Sequence, residues 1–171
     1  MREWLRRTLQ DQRYFLIALV LISFTLRLAG ALLTYGTEDV TSWEIVGETL
    51  LEGQNPYQYT HFLRWPPLWM MIIFVIKHLS LFFDVRFVTL IKAPPIIADT
   101  IIAVVIYYYF VNKYEAVSKG RLYAILYAIN PISILIASIH GQFDSIPALF
   151  PVLSLYFVEG YKEVSDQKFT N

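Results

Sequence analysis

Residues 14–35 run almost without charge, broken only by Arg27. A helix needs about 20 apolar residues to cross a bilayer, so this stretch is long enough to span one. Four more apolar runs lie downstream, at 68–83, 87–111, 122–139 and 146–158. Hydrophobic residues make up 56% of the 171 and charged residues 16%, with mean hydropathy +0.47. A soluble domain carries about 25% charged residues, and it is the grouping of the apolar ones into long runs that decides for membrane over soluble core. The expected fold is all-α, a polytopic membrane helix bundle.

Charge orients the bundle. The segment 1–13 holds Arg2, Arg6, Arg7 and Arg13 against Glu3 and Asp11, so the positive-inside rule keeps it in the cytoplasm and sends the loop 36–67 outside. The helical bundle extends over 14–159, and 160–171 is a polar, frayed tail. A cleaved signal peptide is the competing reading of the first run, with Ala29-Gly-Ala31 as cleavage site, but Arg27 breaks the expected layout. If all five runs cross, the connector 112–121, with Lys113, Lys119 and Arg121, falls outside and Asp144 inside. If 68–83, which carries Lys77 and His78, dips and returns, the connector falls inside and both Asp39 and Asp144 outside. The second arrangement obeys the positive-inside rule.

Several classes of chemistry are absent from the sequence. Net charge is zero, which predicts no nucleic-acid partner. With no cysteine there is no disulfide, thiolate ligand or cysteine nucleophile. Three histidines without HExxH spacing give no protein-built zinc site, and no glycine loop of nucleotide-binding type is present. Neither a metal nor a cofactor is expected.

The loop 36–67 is the polar centre of the chain. Thr41-Ser-Trp-Glu44 has the form of a capping box, predicting a helix start there. Glu44, Glu48 and Glu52 recur every four residues on one face, with Trp43, Val46 and Leu50 on another, so this short helix is expected to lie on the outer membrane surface. Gly53-Gln-Asn-Pro56 ends it, and the aromatic residues between Tyr57 and Trp69 suit an interfacial belt. Asp39 reads either as an interfacial acid or as a general base, and Asp144 either as a helix N-cap or as a second site carboxylate. Arg27 lies about 12 Å below the outer end of its helix, a depth at which charges face a bundle interior or an anionic group unless they snorkel. His140, Arg64, Arg86 and Lys92 are candidates to neutralise a phosphate. Lys92 and Asp99, seven residues apart, share a helix face and could equally form a buried pair.

The ordered set Asp39-Val, Glu52-Gly-Gln-Asn-Pro-Tyr57, Trp65-Pro-Pro-Leu68, Asn130-Pro131 and His140-Gly-Gln-Phe-Asp144 resembles the N-terminal part of GT-C-type integral-membrane glycosyltransferases. It is most similar to polyprenyl-phosphate-dependent, mannosyltransferase-like proteins of microbes. The resemblance implies the N-terminal half of a GT-C-like fold with a juxtamembrane amphipathic helix. It also implies inverting transfer of a hexose, such as mannose, from a polyprenyl-phosphate-sugar donor to a glycan or lipid acceptor outside the cytoplasm. Asp39 would be the catalytic base. The resemblance would also put Gln142 and Asp144, with His140, near the reacting groups. From the residues themselves, Glu38 and Arg64 are further substrate-binding candidates, and Arg27, Arg86 and Lys92 candidate phosphate or charge partners. Family members carry more membrane helices than this chain, so a missing C-terminal half is expected to complete the donor pocket. The rival expectation is a non-enzymatic transporter or flippase segment, or an assembly subunit, which would also place charges inside helices. No internal duplication of the kind such transporters carry is visible.

Overall fold

The computed structural model describes residues 2–59 and 65–169, with side chains placed for 10–58 and 65–159. The described residues form helices joined by short links, without a strand. In order these are α1 (Arg2–Leu33), α2 (Glu38–Leu51), α3 (Pro56–Tyr59), α4 (Pro67–Phe83), α5 (Phe87–Leu90), α6 (Ala93–Tyr114), α7 (Val117–Ala128), α8 (Pro131–Ile134), a π-helical turn (Leu135–His140) and α9 (Ser145–Phe169).

Among the described residues two helices are long and apolar enough to cross a membrane, Gln10–Leu33 and Phe87–Tyr114. A third span results if the pair Val117–Ala128 and Pro131–His140, bent by 41°, is taken as one. The remaining apolar helices, Pro67–Phe83 and Ser145–Glu159, are shorter. Side chains on the outside of the bundle are largely apolar, among them Ile17, Leu21, Ile97, Leu122, Leu126 and Leu155. Such a surface suits hydrocarbon rather than water.

Cross-helix contacts fix the packing. Phe15 meets Tyr107 at a ring separation of 5.1 Å, Arg27 meets Asp99 and Thr34 meets Lys92, so α1 and α6 run antiparallel. Tyr127 returns to Asp99, and Tyr109 meets Glu159, which sets α7 and α9 alternately up and down beside them. Small residues permit this closeness. Ala103, Ala124 and Ala128 are buried with Leu19 and Tyr107 in the core between α1, α6 and α7. One end of the bundle gathers the end of α1, the start of α6 and the segment after His140. The other gathers the α6–α7 link, where Lys113 pairs with Glu159.

A second core caps the first end. Val40, Trp43 and Val46 of α2 pack on Trp69, Met70, Ile73 and Ile76 of α4, with Phe87, Val88 and Ile91 behind them. Both ends of α4 meet that same end of the bundle. Trp69 stacks on Phe143 at 4.6 Å, and Arg86, just beyond the other end, donates to the Leu32 carbonyl at 3.2 Å. Lys77, inside this apolar helix, is neutralised by Glu48 at 3.2 Å and Glu44 at 3.6 Å.

The structure corrects several boundaries expected from sequence. α2 starts at Glu38 rather than at the Thr41 box, with Thr37 at its N-cap position and Glu38 and Asp39 in its first turn, where acids complement the helix dipole. The polar connector shrinks to Glu115 and Ala116, because α6 continues to Tyr114 and α7 begins at Val117. The run 122–139 is two helices, since Pro131 lacks the N–H that would continue the first and Asn130 caps the second. The backbone of the expected frayed tail is helical to Phe169.

Candidate functional site

The contact that draws distant parts of the chain together is made by Asp39 and Gln142. The Gln142 amide Nε2 donates to Asp39 Oδ2 at 2.6 Å and lies 3.3 Å from Thr37 Oγ1. Backbone bonds set this up. The Thr37 N–H donates to the His140 carbonyl at 3.1 Å, tying the start of α2 to the end of the π-helical turn. Gly36 and Gly141 both adopt positive φ, +117° and +80°, and a Cβ on either would fall within 2.8 Å of Val40 Cγ2. The two turns are thus closed around the Val40 side chain, and only glycine accommodates both the dihedral and the space.

Beneath the contact, Phe143 anchors the hinge in an aromatic cluster. Its ring lies 4.6 Å from Trp69 and 5.8 Å from Trp43, and Trp43 in turn sits 4.9 Å from Trp69 and 5.8 Å from Trp65. Asp39 is half-buried, and its Oδ1 takes no hydrogen bond among the described residues. A carboxylate with one oxygen held and the other open can accept a proton from an approaching hydroxyl.

The other expected site residues divide into two groups. Glu38, His140 and Asp144 are exposed around this contact, with no side-chain hydrogen bond among the described residues. It is the His140 carbonyl, not its ring, that binds the α2 turn. Arg64 lies outside the described residues.

The three remaining cations each bind a carbonyl at a helix end. Arg27 is fully buried: Nε pairs with Asp99 Oδ2 at 2.9 Å, Nη1 donates to the Ala128 carbonyl at 2.8 Å, and Nη2 donates to Ser133 Oγ at 2.7 Å. Lys92, also fully buried, donates from Nζ to the carbonyl and hydroxyl of Thr34 at 2.9 and 3.0 Å. Arg86 takes the Leu32 carbonyl. Lys92 and Arg86 therefore cap the C-terminus of α1, where cations complement the dipole, and Arg27 does the same for α7. Asp99 pairs with Arg27 and not with Lys92, because the antiparallel register of α1 and α6 puts residue 27 opposite residue 99.

An acidic patch flanks the site. The Tyr35 hydroxyl donates to Glu44 Oε2 at 2.8 Å. That hydrogen bond, then desolvation, then the charges of Glu44 and Glu48 push the Tyr35 phenol above its ordinary value. Among the described residues no group of three His, Cys, Asp or Glu comes together to hold a metal ion.

Sequence reasoning missed Thr37, whose backbone and hydroxyl connect the two turns. Its position just ahead of two acids, a common N-cap setting, was the available signal. Ser133 and Tyr127, which complete the Asp99 shell at 2.5 and 2.7 Å, had no local signal. Comparison with family models, with curated proteins and with solved structures gives no match for this chain.

Proposed function

We propose that this chain is the catalytic membrane portion of a glycosyltransferase that moves a hexose from a polyprenyl-phosphate carrier to an acceptor hydroxyl at the outer membrane surface. The observation that carries the reading is the 2.6 Å contact between Asp39 and Gln142, residues separated by 103 positions in the sequence. It gathers two polar motifs, distant in the chain, at one end of the bundle. The basic residues Arg2, Arg6, Arg7, Arg13, Lys113, Lys119 and Arg121 belong to segments at the opposite end, so the positive-inside rule turns the Asp39 end outward.

In this reading Gln142 holds one oxygen of Asp39 and orients the other toward the acceptor. Asp39 removes the hydroxyl proton as the oxygen attacks the anomeric carbon, and the polyprenyl phosphate departs from the opposite face. The exposed His140 ring and the free side of Arg86 are the described groups able to meet the growing phosphate charge. A non-enzymatic transporter would need Arg27, Lys92 and Asp99 as parts of a polar path, and all three are committed to one another or to helix carbonyls.

The test is sugar transfer from a polyprenyl-phosphate hexose in membranes containing the protein expressed from its complete reading frame. Replacing Asp39 by Asn is expected to lower the rate by about 10²–10⁴-fold, the usual contribution of a general base. Transfer at the parental rate would overturn the assignment.

A further inference from the structure

We propose that the buried Arg27–Asp99 pair is a positioning device that sets the bend between α7 and α8 and thereby brings Gln142 to Asp39. Its consequence for sugar transfer rests on the proposed role of Asp39 as general base; the placement itself does not.

The break at Pro131 leaves carbonyls at the end of α7 short of helical donors. Arg27 Nη1 supplies one to Ala128, on the near side of the bend. On the far side, Asn130 Oδ1 accepts from the backbone N–H of Ile132 at 2.9 Å and starts α8. Ser133, one residue further, receives Arg27 Nη2 at 2.7 Å and donates to Asp99 Oδ2 at 2.5 Å. Tyr127, on the near side again, donates to Asp99 Oδ1 at 2.7 Å. The same ion pair thus grips both halves of the 41° bend. A pair that merely joined α1 to α6 would not need its contacts to Ala128, Ser133 and Tyr127.

The angle of the bend governs where the rest of this arm goes. The π-helical turn Leu135–His140 adds a residue to the helical turn and so rotates later side chains by about 100° relative to an unbroken α-helix. Gly141 then reverses the chain in the left-handed region, and Gln142 emerges. Its amide meets Asp39 only if α8 enters at the observed angle. The guanidinium fork suits this task, since its planar donors reach a carboxylate, a carbonyl and a hydroxyl at fixed angles.

The chain contains no cysteine, so a cysteine pair can report the placement. A Cβ on Gly30 would lie 3.3 Å from Ser138 Cβ, close to disulfide range. The Gly30→Cys/Ser138→Cys protein in membranes should therefore crosslink readily on oxidation. Two backgrounds test the device. Arg27→Met with Asp99→Leu removes the charges but keeps apolar packing, a change that buried pairs often tolerate. Ser133→Ala leaves the pair intact and cuts its link to α8. Both are expected to slow crosslinking about tenfold while the protein stays monodisperse in detergent, as misplacement of reacting groups does. Crosslinking of the uncharged double variant at the parental rate would overturn the proposal. Should that variant not fold, a parental rate in Ser133→Ala overturns it instead. Asp39→Asn in the same reporter distinguishes the two readings: unchanged transfer would refute the transferase assignment while leaving the crosslinking result to stand or fall separately.

Discussion

Two polar clusters, one on α1, α6, α7 and α8 and the other between α2 and the turn before α9, are built on opposite plans. At mid-bundle, Arg27, Asp99, Ser23, Ser133 and Tyr127 exchange hydrogen bonds until both Asp99 oxygens are occupied, with Arg27 and Asp99 excluded from solvent. At the bundle end, Asp39 receives one strong hydrogen bond and keeps an open oxygen among the described residues, and stands beside the exposed Glu38, His140 and Asp144. A saturated, dry cluster holds helices in register, because every unmet bond there would cost the full desolvation of its group. A cluster with open valences at a wet end is where another molecule can bind. The difference separates charges satisfied within the fold from charges that it leaves accessible.

The sharpest way to break this contrast is to open the saturated cluster. Asp99→Ala strands the Arg27 guanidinium and should cost about 3–5 kcal/mol, read as lost thermal or denaturant stability in detergent. A loss near zero would mean that the pair is not what holds α1, α6 and α7 together. Next in size is Gly141→Ala. Positive φ and a Cβ 2.8 Å from Val40 Cγ2 and 3.1 Å from Lys92 Cε predict a cost of about 1–3 kcal/mol from strain and overpacking. Asp39→Asn should change stability by less than about 1 kcal/mol, because an amide oxygen still accepts from Gln142 and no buried charge is stranded. A large loss there would make Asp39 a structural residue and erase the contrast.

The smallest effect concerns the acidic patch. The hydrogen bond to Glu44 raises the Tyr35 phenol above its ordinary value, so the folded state favours the neutral form. That contribution is present below the ordinary phenol range and is lost as pH climbs through the raised value. Glu44→Gln should move the Tyr35 titration, followed by phenolate absorbance, back toward the ordinary value.

The residues differ in how far they could be read before the fold was known. Asp39 and Gln142 stood in recognisable polar motifs, and the apolar runs that became α1 and α6 announced themselves by length. The break at Asn130 was also written locally, as an Asn-Pro pair, but the continuous apolarity of 122–139 masked it. From sequence, Arg86 and Lys92 are candidates to neutralise a phosphate, Lys92 equally a buried partner of Asp99, and Arg27 a cation that snorkels or faces an anionic group. Nothing local in sequence distinguishes a lysine that will bind an anion from one that will cap a helix 58 positions away. The seven-residue spacing of Lys92 and Asp99 put them on one face, yet the partner of Asp99 came from 72 positions upstream.

By itself, then, the sequence determined which segments avoid water, that they are helices, and which end carries the basic residues, since hydropathy, helix length and charge accumulate residue by residue along the chain. Only the tertiary structure decided which cation meets which acid and that Gln142 reaches Asp39. Those contacts depend on the antiparallel register of α1 with α6 and on the angle at which α8 leaves α7, and both are settled by packing between residues far apart in the chain.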